Sequence, residues 1–168
     1  LDAGAVDRSA ARIELDQPRR QGDGDLPDIS RIGVNVRISR GVDVALFGMS
    51  PARRLPIESY FGFVAARNRV PLGYGGGWVF FDRCEIGVNI FDSFRGGESA
   101  YGFAQVIRVY RQLFHARRFT VDPYQFGQDN PEAIKSGAFW FYYRLGFRPL
   151  ETKLAVLAAD EWSRITAD

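Results

Sequence analysis

The chain has 168 residues, of which 46% are apolar and 25% charged, and its formal net charge is +2. This length favours one domain with a sizeable core, and the nearly balanced charge argues against nucleic acid as a partner. No apolar run of about 18 residues or more occurs, so no membrane span is predicted. The single cysteine, Cys84, excludes an internal disulfide and indicates a reducing compartment, the cytoplasm.

The first part of the chain has a different composition from the rest. Residues 1–30 carry charged residues, Gly and Pro but few large apolar side chains, and the first aromatic residue is Phe47. We predict an N-terminal arm over residues 1–30, flexible or belonging to a longer chain, and a folded domain over residues 31–168. Homodimerisation and association with a region that precedes Leu1 both stay open.

Alternating apolar residues after the arm predict a β-sheet. The stretch RIGVNVRIS alternates strictly, which is typical of a half-buried strand, and VDVALFGM repeats the pattern as its hairpin partner. Three further extended stretches, SYFGFVAA, VPLGYGGGWVFF and CEIGVNIF, are separated by short turns. This pattern predicts an antiparallel meander. The run of glycines in GYGGGW indicates either a bulge or the close approach of a ligand to the backbone.

Helical periodicity follows the meander. Apolar residues at helical spacing predict a helix over residues 99–114, and RRFTVDPYQF predicts a strand after it. Asn130 as cap and Pro131 at the first helical position predict a second helix over residues 131–145, which Gly146 ends. ETKLAVLAADEWSRIT predicts a last helix. The expected fold is therefore mixed α/β, with a central, mostly antiparallel sheet flanked by helices.

The order of these motifs resembles the GCN5-related N-acetyltransferase (GNAT) family over about residues 59–147. FVAARNRVPLGYGGGWVFFDRCEIGVNIFDSFRGGESA resembles the family's hairpin, its long strand and the turn that holds the pyrophosphate of acetyl-CoA. NPEAIKSGAFWFYYRLGFRP resembles the family's signature helix, with matches at Asn130, Ala133, Tyr142, Gly146 and Phe147. Three departures stand out: Glu98 replaces the middle glycine of the turn, the stretch SGAFW sets Asn130 and Tyr142 farther apart than in the family, and a helix follows Pro149 where the family has two more strands.

The resemblance implies an N-acyltransferase with acetyl-CoA as co-substrate, no metal, and an amine on a small molecule or a peptide as acceptor. It also implies that Glu85 is the general base and Tyr142 the general acid. The implied contacts with acetyl-CoA come from the end of the long strand, the turn and the start of the signature helix: Asn89, Ile90, Phe91, Arg95, Gly96, Gly97, Ser99, Ala100 and Asn130.

Each candidate also has a purely structural interpretation. The glycines of the turn can simply reverse the chain while Glu98 complements the helix dipole, Glu85 can be a solvated strand residue, and Tyr142 or its rival Tyr143 can be core. Two other functions therefore stay open. One is a GNAT-like binding or scaffold module that has lost acetyl-CoA, and the other is an interaction domain that uses its many aromatic side chains.

Overall fold

In a computed structural model of the protein, the described residues are 32–37, 41–49, 51–94 and 96–167. The predicted arm over residues 1–30 and Arg95 lie outside them. The chain divides between Pro123 and Tyr124 into two compact units. Among the described helices, none is both long and apolar enough to cross a membrane.

The first unit is built on a six-stranded sheet whose order in space follows the order in sequence. The four pairings from β1 to β5 are antiparallel, and β6 pairs with β5 in parallel. The predicted hairpin, the meander and the mixed, mostly antiparallel sheet are thereby confirmed. The strands are β1 (Ile32–Arg37), β2 (Val42–Gly48), β3 (Ser59–Arg67), β4 (Val70–Phe80), β5 (Arg83–Ile90) and β6 (Arg118–Thr120).

Helix α1 (Gly97–Phe114) connects β5 to β6 and packs on one face of the sheet, against β2, β3 and β4. It begins at Gly97, slightly before the predicted start at Ser99. The core forms between this helix and the buried sheet side chains, because alternate strand residues point to the same face. Its members include Val42, Val44, Leu46, Phe63, Ala65, Ile86, Phe103, Val106, Val109 and Tyr110.

The glycine-rich part of β4 makes room for side chains of this unit. The irregularity in the sheet falls at Leu72, which the register with β3 skips, so the glycines after Gly73 continue the strand without a bulge. A Cβ at Gly77 would lie 2.6 Å from the sulfur of Cys84 and 2.9 Å from the ring of Tyr110. Neighbouring side chains therefore occupy the space that a larger residue would need.

Tyr110 fastens α1 to the sheet. Its side chain is fully buried, and its hydroxyl donates a hydrogen bond to the carbonyl of Phe61. We expect Tyr110→Phe to destabilise the fold by about 1–3 kcal/mol, because it leaves a partly buried carbonyl without its donor. Urea unfolding measures this loss, with Tyr74→Phe at an exposed position as control. Equal free energies of unfolding for Tyr110→Phe and the control would contradict this role.

The second unit is helical: α2 (Pro123–Phe126) leads into it, followed by α3 (Pro131–Lys135), α4 (Ala138–Arg144) and α5 (Thr152–Ala167). The prediction of a strand over RRFTVDPYQF is wrong after Thr120. Pro123 lacks the amide that a strand ladder needs and fits the first turn of a helix. The last helix is confirmed.

The predicted helix over residues 131–145 is two helices. Gly137 lies between them with φ of 73°, a left-handed conformation that glycine adopts readily. The predicted ends are confirmed: the side chain of Asn130 accepts a hydrogen bond from the amide of Ala133 at 3.1 Å, and Gly146 follows α4 with φ of 97°. Aromatic residues hold this unit together: Phe126, Phe139, Trp140, Tyr142, Tyr143 and Trp162.

Candidate functional site

The end of β5 is the strand region that the resemblance assigns to acetyl-CoA. The parallel pairing with β6 covers only Arg83, Cys84 and Glu85, whose partners run from Arg118 to Thr120. β5 itself continues to Ile90. Within the described sheet, the start of β5 therefore lies between β4 and β6. The end of β5 has a strand partner only on the side of β4.

The direction of the β5 amides follows from one hydrogen bond. The amide of Phe91 donates to the carbonyl of Leu72, on the side of β4, at 3.1 Å. Because backbone groups alternate between the two neighbours of a strand, the amides of Val88 and Ile90 face the other side, beyond the pairing with β6. Of the three strand residues expected to contact acetyl-CoA, only Ile90 directs its amide there. Val88, which the resemblance did not name, directs its amide to the same side, as the two-residue alternation in the sequence could have indicated.

The turn into α1 uses part of its hydrogen-bonding capacity internally. Both the amide and the hydroxyl of Ser99 donate to the carbonyl of Gly96, at 3.2 Å and 2.5 Å. The side chain of Ser99 is buried, and it closes the turn through this hydrogen bond to Gly96. The first-turn amides of Gly97 and Glu98 have no carbonyl acceptor within a regular helix. A Cβ at Gly96 would meet no atom of the described residues within 4 Å, so none of them fills the space beside the turn.

Glu98 is paired with a cation that sequence reasoning missed. Its carboxylate forms an ion pair with the guanidinium of Arg67 at the end of β3, and the two side chains are 57% and 30% exposed. No local pattern links the two residues, because the sheet and α1 bring them together. Arg67 therefore supplies positive charge next to the helix N-terminus, and Glu98 partly neutralises it.

Glu85 and Tyr142 have very different environments. Glu85 is exposed, directly opposite Trp78 on β4 and beside Thr120 on β6. Tyr142 lies in the second unit and is buried there, with its hydroxyl donating to the Oε1 atom of Gln125 at 3.0 Å. Exposure suits Glu85 to proton transfer with solvent or substrate, whereas the surroundings of Tyr142 also give it a role in packing.

Three further candidates lie in environments that the local fold explains. The side-chain amide of Asn130 donates to the carbonyl of Tyr124 at 3.1 Å while its oxygen caps α3, so both ends of this group serve the local fold. Tyr143, the rival of Tyr142, is buried beneath Arg148, whose guanidinium carbon lies 3.7 Å from the ring centroid. Ala100 is half-buried in the first turn of α1.

Cys84 is buried in β5, and this burial raises the pKa of its thiol from an ordinary value of 9.0 to about 12. At pH 8 we expect a disulfide reagent to modify the native protein at least about a hundredfold more slowly than the unfolded protein, because the thiolate is the nucleophile. Absorbance of the released chromophore measures both rates. Rapid reaction of the native thiol would contradict the burial of Cys84.

The raised pKa also sets the sign of a pH dependence. The stabilisation from the protonated thiol is complete below the unfolded pKa near 9 and is lost as the pH rises through the folded pKa of about 12. Over that interval only the unfolded state releases the proton. Burial raises the pKa of Tyr110 as well, and this adds to the loss in the same direction. Cys84→Ala should therefore weaken, without removing, the alkaline fall in stability.

Comparisons with known proteins add no family assignment, since no family model, no curated protein and no solved structure matches the chain.

Proposed function

We propose that the protein is an acyl-CoA-dependent N-acyltransferase with a GNAT-like fold, which transfers an acetyl group from acetyl-CoA to an amine. One observation carries the proposal: β5, α1 and β6 form a parallel crossover in which pairing stops at Glu85 while β5 continues to Ile90. On the side of this strand end that faces no partner among the described residues, and at the helix that follows it, amide donors succeed one another along the chain. Such donors suit a long, extended ligand that ends in a pyrophosphate.

The proposed binding mode assigns these donors to different parts of acetyl-CoA. The amides of Val88 and Ile90 would hold the amides of the pantetheine arm or the thioester carbonyl, where negative charge develops during attack. The pyrophosphate would lie at the N-terminus of α1, whose free amides and partial positive charge favour anions. Arg67 would contribute charge-assisted hydrogen bonds to the same phosphates.

In the proposed reaction, the amine nitrogen attacks the thioester carbonyl, a C–N bond forms, and the C–S bond breaks. Glu85 accepts the proton that the amine loses, directly or through water. The departing thiolate takes up a proton from solvent. Holding the amine and the thioester together would supply much of the rate enhancement, because the two reactants no longer have to meet by diffusion.

The ion pair between Glu98 and Arg67 favours a second candidate, a GNAT-like scaffold that no longer binds acetyl-CoA. The carboxylate occupies Arg67 and adds negative charge beside the helix N-terminus. Among the described residues, the sheet also ends at β6, and the helix α5 follows α4 where the family has strands. This candidate requires that acetyl-CoA neither binds nor reacts.

Glu98→Gly should strengthen acetyl-CoA binding by about fivefold to tenfold, since it removes a charge that repels phosphate and releases Arg67. Calorimetry measures the dissociation constants. Glu98→Gln is the matched control: it keeps the side-chain size and should retain most of the gain if charge is the obstacle. Arg67→Gln should weaken binding. Weaker binding by Glu98→Gly would instead mean that Glu98 supports the site by positioning Arg67.

Turnover tests the proposed function itself. The protein is incubated with acetyl-CoA and with polyamines, amino acids or peptides that have a free N-terminus, and mass spectrometry detects the acetylated amine. We expect at least one acceptor class to be acetylated above the rate without protein. No acetylation of any acceptor, together with no binding of acetyl-CoA, would favour the scaffold.

A further inference from the structure

The sheet face opposite α1 carries aromatic and polar side chains around a pair of glycines. Strand alternation places the even-numbered residues of β4 from position 74 to 78, and the odd-numbered residues of β5 from 85 to 89, on this face. The register pairs them directly across the two strands: Trp78 with Glu85, Gly76 with Gly87, and Tyr74 with Asn89.

Gly76 and Gly87 have no side chains, and the ring of Tyr60 from β3 covers Gly76. The floor of the resulting depression is therefore the Tyr60 ring together with Gly87, between the Trp78–Glu85 pair at one end and the Tyr74–Asn89 pair at the other. The Cα atoms of these end pairs are about 13 Å apart along the strands, because each residue advances the chain by about 3.3 Å. The ring of Tyr60 reaches in from β3, with its hydroxyl over Gly76.

The rim of the depression is accessible. Tyr60 is 37% exposed, Tyr74 49% and Trp78 39%, and Glu85 and Asn89 are exposed as well. The rings of Tyr60 and Trp78 have centroids 5.1 Å apart and are inclined by 57°, so they form an aromatic corner next to the carboxylate of Glu85. Exposed aromatics of this number on one sheet face are more typical of a binding surface than of a solvated one.

The chemistry of the rim selects a cation. Aromatic faces attract ammonium groups through their quadrupole, and Glu85 adds a full negative charge. The side-chain oxygen of Asn89 and the hydroxyl of Tyr60 add neutral acceptors for N–H groups. Arg83 lies on the same face, two residues before Glu85 and opposite Phe80. Its charge opposes a second cationic group at that end and so favours a ligand with a single positive charge.

We propose that the depression formed by Tyr60, Tyr74, Trp78, Glu85 and Asn89 binds a primary monoammonium group carried on an apolar body. The apolar body contacts the aromatic rings, and the ammonium lies beside Glu85. The proposal rests on the proposed function in one respect: the bound amine is then the acyl acceptor, and the carboxylate that holds it also receives its proton. Polyamines and anionic acceptors are correspondingly poor substrates.

A direct binding measurement tests the site without acetyl-CoA. Phenethylammonium is titrated into the full chain, and two-dimensional NMR follows the backbone amides. We expect saturable shifts at β4 and β5, with the neutral analogue 2-phenylethanol and the anion 3-phenylpropionate binding at least about fivefold more weakly. Equal affinity for the ammonium and the alcohol, or shifts elsewhere only, would overturn the proposal.

Variants separate the two parts of the site. Trp78→Leu and Glu85→Gln should each raise the dissociation constant of phenethylammonium by about fivefold or more. The matched controls are Phe81→Leu, at an exposed aromatic beyond the end of β4, and Glu132→Gln, which removes the same charge in the second unit. Both should bind as the wild type does, and all four must show wild-type circular dichroism and melting. Unchanged affinity in Trp78→Leu and Glu85→Gln would overturn the proposal.

The failure of this proposal and that of the proposed function give different results. If phenethylammonium binds as expected and acetyl-CoA does not, the cation site stands and the acyltransferase proposal fails. If the protein acetylates amines but Trp78→Leu leaves KM unchanged for a monoamine, the function stands and the acceptor site is elsewhere. Support for both requires a raised KM in Trp78→Leu with little change in kcat.

Discussion

Gly75→Ala should destabilise the protein by about 3 kcal/mol or more, enough to remove much of the stability of a domain of this size. A Cβ at this position would clash with the backbone carbonyl of Gly87 on β5 and lie 2.9 Å from the ring of Phe63. Phe63 is 2% exposed and belongs to the core, so neither neighbour can move without separating β4 from its partner or opening the core.

Gly96→Ala is the matched control for this substitution. Gly96 has an extended backbone with φ of 163°, and a Cβ there would meet no atom of the described residues within 4 Å. The same added methyl group should therefore change the free energy of unfolding by no more than about 0.5 kcal/mol. Urea denaturation of both variants measures the difference. Equal stability of Gly75→Ala and the wild type would contradict the packing of β4 against β5 and Phe63.

Glu85→Gln should lower kcat by about 10²–10⁴-fold with the acceptor found by the amine screen, because the amide cannot accept the proton of the amine. Glu85 is exposed, so stability should change by less than about 0.5 kcal/mol. Binding of acetyl-CoA should be unaffected. Quenched-flow or steady-state assays give kcat, with Glu132→Gln as the control for loss of one surface carboxylate. Wild-type turnover by Glu85→Gln would exclude Glu85 as the base.

The sheet and its long helix were predictable because their sequence patterns record burial directly. Alternation identified the strands, and the apolar residues of α1 recur at the spacing of one buried helix face. Two predicted elements were wrong, the single helix over residues 131–145 and the long strand over RRFTVDPYQF, because the backbone changes conformation within them. Apolar residues stand on both sides of Gly137, with Ala133 and Ile134 before it and Ala138 and Phe139 after it, which hides the break between α3 and α4. The β-branched residues before Pro123 resemble a longer strand than the three residues that pair.

The candidate site was less predictable because it depends on which strands are neighbours. Glu85 and the turn before α1 could be proposed as site residues from the sequence, but the ion pair between Arg67 and Glu98 joins residues that share no local pattern. The depression on the open sheet face likewise requires the register that places Gly76 opposite Gly87. Tyr142 illustrates a further difficulty, since consecutive aromatic residues give no indication of which ring fills a core.

Calorimetric titration of the wild-type protein with acetyl-CoA, and in parallel with desulfo-CoA, is the most direct test of the acyltransferase proposal. We expect saturable binding of both ligands, since the amide contacts and the phosphate contacts do not need the reactive thioester. Ligand at 100 times its dissociation constant should then stabilise the fold by about 2.7 kcal/mol in a thermal shift experiment. The absence of detectable heat and of any thermal shift, in the wild type and in Glu98→Gly alike, would contradict the proposal.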